Sequence, residues 1–233
     1  MRFGIVTFPG SNCDHDAYHV VKHVTGCEAT FLWHKDTDLS GVDAVILPGG
    51  FSYGDYLRCG AIAQFSPILE EVRRFADDGG PVIGICNGFQ VLTESGLLPG
   101  ALLRNQGLTF ICEDAYLQVA NGHLPWTALC PETIVAPIAH HDGCYYADDE
   151  TLARLEGEGR VAFRYCDRNG DVGGSSNPNG SLNNIAGIVN ARGNVLGMMP
   201  HPERNAETEL GDASGAWVFR SVLQAFVDGE VGR

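Results

Sequence analysis

Lysine is nearly missing from this chain: among its 233 residues only Lys22 and Lys35 are lysines. Schiff-base chemistry and a phosphate-cradling P-loop each need a lysine at a fixed place, and here they have almost nowhere to sit. Basic residues as a whole are scarce, 15 against 29 acids, for a formal net charge of −14. Such a surface repels phosphate backbones and anionic headgroups, which argues against nucleic acid and membranes as partners. No apolar run approaches the ~20 residues that span a bilayer. The start, Met1-Arg2-Phe3-Gly4-Ile5-Val6-Thr7-Phe8, passes straight into a strand-like run with no signal-peptide cleavage pattern. GxxxxGK[ST] and GxGxxG are both absent, so ATP and dinucleotides lack those cradles. The eight cysteines are scattered without a CxxC pair, in a chain too long for a disulfide scaffold. Free thiols in a reducing cytoplasm are the expectation.

What is present is an ordinary globular composition, 44% apolar and 19% charged, in a chain long enough to bury a core without disulfides or metal. No repeat, linker or low-complexity tract divides it, so one domain over 1–233 is expected. Strand-like runs at Phe3–Phe8, Thr30–Trp33, Ala44–Leu47 and Val82–Cys86 alternate with helix-like stretches at Asp14–Val24, Ala61–Ala76 and from Cys86 to Ser95. That alternation predicts βαβ units around a mostly parallel sheet flanked by helices. The middle of the chain has strand-like pieces at 109–112, 133–139 and 161–166 and few helix signals, which predicts added antiparallel strands. A polar loop over 167–184 precedes a hairpin of Ile185–Val189 and Val195–Met199, and a helix over 214–227 follows.

The segment Val82-Ile83-Gly84-Ile85-Cys86-Asn87-Gly88-Phe89-Gln90 has the layout of a nucleophile elbow with sulfur in place of oxygen. A strand ends in Gly-x-Cys-x-Gly and a helix follows. The turn is too sharp for side chains at positions −2 and +2, and a sulfur at a helix N-terminus meets free N–H groups that favour its anion. Most free cysteines are inert core residues, and the flanking glycines are what separate Cys86 from the rest. Cys13 is the rival because it too precedes a helix, but its neighbours at −2 and +2 are Ser11 and His15.

A cysteine nucleophile needs a base, and the base an orienter. Met199-Pro200-His201-Pro202-Glu203 supplies both after a strand, since residues i and i+2 of an extended chain project to the same side. Val45-Ile46-Leu47-Pro48-Gly49-Gly50 runs a strand into paired glycines, so the Gly50 N–H and the Asn87 N–H are the natural oxyanion donors. His15, His19 and His23 recur every four residues, but on the side of their helix opposite the apolar stripe 17/20/21/24, which makes them a solvated face. His140-His141-Asp142-Gly143 lacks a third ligand at a usual spacing. It reads as a loop near the site, and no metal site is expected.

The proline–glycine loop, the GICNGFQ elbow and the HPE segment together resemble the class I (triad) glutamine amidotransferases. PGSNCD at 9–14, PGGFSYGDYLRCGA at 48–61, PIAHHDG at 137–143, NPNGS at 177–181 and GNVLGMMPHPER at 193–204 narrow the resemblance to one family, the glutaminase subunits of phosphoribosylformylglycinamidine synthases. It covers nearly the whole chain. The resemblance implies an α/β, flavodoxin-like fold and a Cys86, His201, Glu203 triad. It also implies a glutamine pocket to which Gln90, Phe51 and Ser52 contribute, with no cofactor in this subunit. It further implies transfer of ammonia from L-glutamine to a separate synthetase subunit that carries ATP and magnesium, with a small bridging subunit in the assembly. A free-standing γ-glutamyl hydrolase or peptidase of the same fold, or a non-catalytic regulatory module, remain as alternatives.

Overall fold

In the computed structural model, which describes residues 1–232, a nine-stranded sheet runs through the molecule. Its first part is parallel. Strands β1 (Arg2–Thr7), β2 (Glu28–Trp33), β3 (Ala44–Leu47), β4 (Val82–Ile85) and β11 (Val195–Met198) lie in the order β2-β1-β3-β4-β11. Every residue of β3, β4 and β11 is buried, as expected where both faces of a parallel sheet are covered. From β11 the sheet continues antiparallel through β10 (Ile185–Val189), β9 (Val161–Cys166), β6 (Ile111–Val119) and β7 (Thr133–His140). The parallel half with its antiparallel extension thus follows the sequence pattern. A separate pair joins β5 (Ala101–Leu103) to β8 (Cys144–Tyr146).

Helix α1 (Asp14–His19) packs on β1, and α3 (Asn87–Glu94) packs on β3, β4 and β11. The remaining helices are α2 (Pro67–Asp77), α4 (Asp149–Gly157) and α5 (Ala216–Val227). Three expectations need correction. The helix expected over Ala61–Ala76 is broken: a 3-10 turn at Ala63–Phe65 ends at Ser66, held extended at φ −68°, ψ 137° before Pro67, because proline disfavours the helical conformation of the residue before it. The stretch Asp14–Val24 is α-helical only to His19 and closes in a π-helical turn over Val20–Val24. The middle of the chain holds a helix, α4, whose start is capped by the Asp148 carboxylate accepting from the Thr151 N–H at 2.8 Å.

The register of the central strands positions the site. Leu47, Gly84 and Gly197 form one row across β3, β4 and β11. Just beyond that row, at the carboxyl ends where open α/β sheets bind ligands, the chain delivers Gly49 and Gly50, then Cys86, then His201. Motifs far apart in sequence become neighbours because their strands are neighbours.

Candidate active site

Cys86 sits between β4 and α3 at φ 52°, ψ −106°, a strained conformation for a residue with a side chain. The turn depends on its glycines. A Cβ on Gly84 would lie 2.6 Å from the Gly88 carbonyl oxygen, and one on Gly88 would overlap the Leu47 carbonyl at the end of β3. Cys86 is 6% exposed, His201 2% and Glu203 4%. The His201 Nδ1 pairs with Glu203 Oε1 at 2.7 Å, which leaves Nε2 to face the sulfurs. Burial opposes a charge on His201, yet the Glu203 carboxylate, with the sulfurs of Cys86 and Cys13, outweighs it and holds His201 well above the usual histidine range.

The structure brings Cys13 into this group. Its sulfur, a ring nitrogen of His201 and a Glu203 oxygen lie within 4.8 Å of one another. Gly49 makes the convergence possible: a Cβ there would stand 2.6 Å from His201 Cε1, 3.1 Å from Cys13 Sγ and 3.4 Å from Cys86 Cβ. The trio is a poor cradle for a cation, because the Arg204 guanidinium donates to Cys13 Sγ at 3.0 Å and His201 Nδ1 occupies Glu203 Oε1. Arg204 is in turn fixed by Asp16 at 3.0 Å.

Gly50 and Asn87 stand on either side of Cys86, at the end of β3 and the start of α3. Neither N–H donates to a backbone acceptor among the described residues. The Asn87 side chain clamps the neighbouring loop by accepting from the Ser52 N–H at 3.2 Å and from the Ser52 hydroxyl. It donates to Gln90 Oε1 at 2.9 Å, and Gln90 Nε2 donates to the Asp142 carbonyl at 2.6 Å. A polar chain therefore ties the glycine loop, the elbow helix and the 140–143 loop together.

A cavity of about 550 Å³ opens above Cys86, with Gly50, Phe51, Gln90, His140 and Asp142 in its walls. Of the expected pocket residues, Phe51 and Gln90 face this cavity, whereas Ser52 is buried and turned toward Asn87. His140 Nδ1 meets Asn105 Oδ1 at 3.0 Å, an oxygen that also accepts the Gly143 N–H, so Nδ1 carries the hydrogen. Burial, with the charge of nearby His201, pushes His140 down to about 4. His15, His19 and His23 are exposed, as their helical spacing predicts. The sequence gives no local signal for Arg204, Asn105 or the arrival of Cys13. Each is placed by contacts between distant segments.

Residues 1–218 match the family of CobB/CobQ-like glutamine amidotransferase domains. A glutamine amidotransferase from Thermotoga maritima superposes with a TM-score of 0.60 at 15% identity, covering 97% of this chain and 98% of that one, which speaks for the fold. The class is that of the glutamine amidotransferases. The phosphoribosylformylglycinamidine synthase subunit PurQ of Salinibacter ruber is 56% identical, over 95% of each chain. The subunit of the same name from Moorella thermoacetica is 54% identical, over 99% of this chain and 98% of that one. The structure of PurLQS from Thermotoga maritima contains a chain that superposes with a TM-score of 0.85 at 42% identity, covering 97% of this chain and 98% of that one. This chain belongs to the PurQ subunit family of phosphoribosylformylglycinamidine synthase.

Proposed function

We propose that this chain, folded as one domain, is the glutaminase subunit of phosphoribosylformylglycinamidine synthase. It hydrolyses L-glutamine to glutamate and ammonia and passes the ammonia to an ATP- and magnesium-using synthetase subunit. That subunit converts formylglycinamide ribonucleotide to the amidine in purine biosynthesis. A small bridging subunit completes the assembly, and this chain itself needs no cofactor. On this reading its work lies in the cytoplasm; among the described residues no helix is long and apolar enough to cross a membrane.

The observation that carries the reading is the buried His201–Glu203 pair, at 2.7 Å, beside a cysteine on a strained strand-to-helix turn. The Cys86 sulfur, its proton passed to His201 Nε2, attacks the γ-carbonyl carbon of glutamine. The N–H groups of Gly50 and Asn87 receive the oxyanion. His201 Nε2 gives its proton to the departing nitrogen, and a γ-glutamyl thioester remains. Water then enters, His201 takes one of its protons, and the C–S bond breaks to release glutamate. Glu203 holds the ring and steadies its cation.

The test is Cys86→Ala in the assembled synthase. Glutamine-dependent amidine formation should disappear while added ammonia still supports turnover. Loss of the ammonia-dependent reaction in an intact complex would refute this division of labour.

A further inference from the structure

Cys86 opens onto two cavities, and the catalytic histidine lines only the smaller. The larger, of about 550 Å³, has room for an amino acid, with the polar side chains of Gln90, His140 and Asp142 among otherwise largely apolar walls, and does not include His201. The smaller, about 190 Å³, is lined by Cys86 and His201 together with Asn12, Cys13, Phe110 and Arg204. The two meet at Gly50, Phe51, Cys86 and Ala139. Resting on the glutaminase reading above, we propose that the smaller cavity is the compartment through which ammonia leaves and the hydrolytic water enters.

The chemistry fixes the direction. When the C–N bond breaks, its electron pair stays on nitrogen, and the proton that completes ammonia comes from His201 Nε2. The leaving nitrogen must therefore stand on the His201 side of the carbonyl carbon. The glutamyl chain, still bonded to the Cys86 sulfur, fills the larger cavity and closes that way out. Water attacking the thioester must also hand a proton to His201, so it approaches from the same side. Arg204 lies in the smaller cavity's wall, its guanidinium 3.0 Å from Cys13 Sγ. The Asp16 carboxylate at 3.0 Å compensates its charge, so among the described residues this wall holds no free anion that would trap ammonium. At the rim stand Phe51 and Phe110, 49% and 44% exposed, a low-polarity collar whose rings neither give nor take a proton.

The experiment uses the assembled synthase and measures glutamate and amidine formed in the same reaction, together with turnover on added ammonia. In the unaltered complex the two products should form in a ratio near one. Phe110→Ala opens the collar, and glutamate should exceed amidine at least about two-fold while ammonia-fed turnover stays at its starting rate. Asn12→Trp fills the cavity from an exposed position, and glutamine turnover should fall several-fold while Cys86 still reacts with a glutamine-like electrophile. Either change supports the route, and an unaltered ratio in the first variant with unaltered turnover in the second overturns it. If the unaltered complex releases no glutamate at all, it is the glutaminase assignment that fails rather than the route.

Discussion

Replacing Glu203 by glutamine keeps the size of the side chain and an oxygen able to face His201 Nδ1, and removes only the charge. Glu203 Oε1 lies 2.7 Å from that nitrogen, and its other oxygen is buried without a partner. The carboxylate is thus committed to one contact. A hydrogen bond to a charged group contributes about 1.5–3 kcal/mol net, and both partners here are shielded from solvent. At about 1.4 kcal/mol per factor of ten, Glu203→Gln should lower kcat/KM for glutamine roughly 10- to 150-fold in the assembled synthase. His201→Ala removes proton transfer itself and should cost about 10²–10⁴-fold or more. Because such groups act as a unit, the double variant should be little worse than His201→Ala alone. The pH profile adds an independent reading. Burial alone would depress His201, and the Glu203 anion is the foremost of the groups that raise it. Removing that charge lowers the pH at which the imidazolium is lost, so the alkaline limb of kcat/KM should move toward acid. An unmoved limb, additive losses, or a Glu203 variant as inactive as the His201 variant would refute the roles assigned.

The elbow predicts that Gly88→Ala forces the end of β3 away from α3, because the new Cβ overlaps the Leu47 carbonyl. It should destabilise the fold by roughly 1–3 kcal/mol, read as a lowered urea midpoint. Tyr53, at φ 55° in the loop after Gly50, holds His34 Nδ1 at 2.7 Å and Ser66 Oγ at 2.9 Å. Tyr53→Phe removes both contacts, each worth about 0.5–1.5 kcal/mol, and should raise the glutamine KM. An unchanged KM would show that this anchor does not set the loop. The two cysteines near His201 are separated by a glutamine-like electrophile followed by peptide mapping: Cys13→Ser should still be labelled at Cys86, and label on Cys13 in the unaltered protein would reverse their roles.

The parallel half of the sheet was legible because its strands are short continuous apolar runs closed by glycine or proline. The bounds of β3 and the core of β4 can be read directly from AVIL and VIGI. Helix α4 was not, because Leu155 is its only fully buried residue, too little for a helical stripe. Its one local signal was the Asp148 cap. The β5–β8 pair has three residues a strand, fewer than any periodicity needs. Pro67 carries a local signal of its own: the extended conformation it imposes on Ser66 divides the 61–76 stretch.

The site divides along the same line. Cys86, His201 and Glu203 could be singled out as candidates because each lies in a motif whose chemistry and strand context are local. Their adjacency could not, because it depends on strand order, and the sequence carries no mark that β4 lies between β3 and β11. Cys13 makes the distinction sharpest. Asked whether it can form an elbow, the sequence answers no, since Ser11 and His15 flank it. The structure answers a different question. Cys13 follows β1, and β1 is separated from β4 only by β3, whose chain beyond Leu47 carries no side chain at Gly49 to hold the sulfur away from His201. The glycine that lets the loop after β3 pass close to Cys86 therefore also lets a second thiol reach His201. That thiol stands in the wall of the smaller cavity, next to the guanidinium of Arg204. Motif reading ranks residues by what they can do alone, whereas a sheet edge decides what they do together.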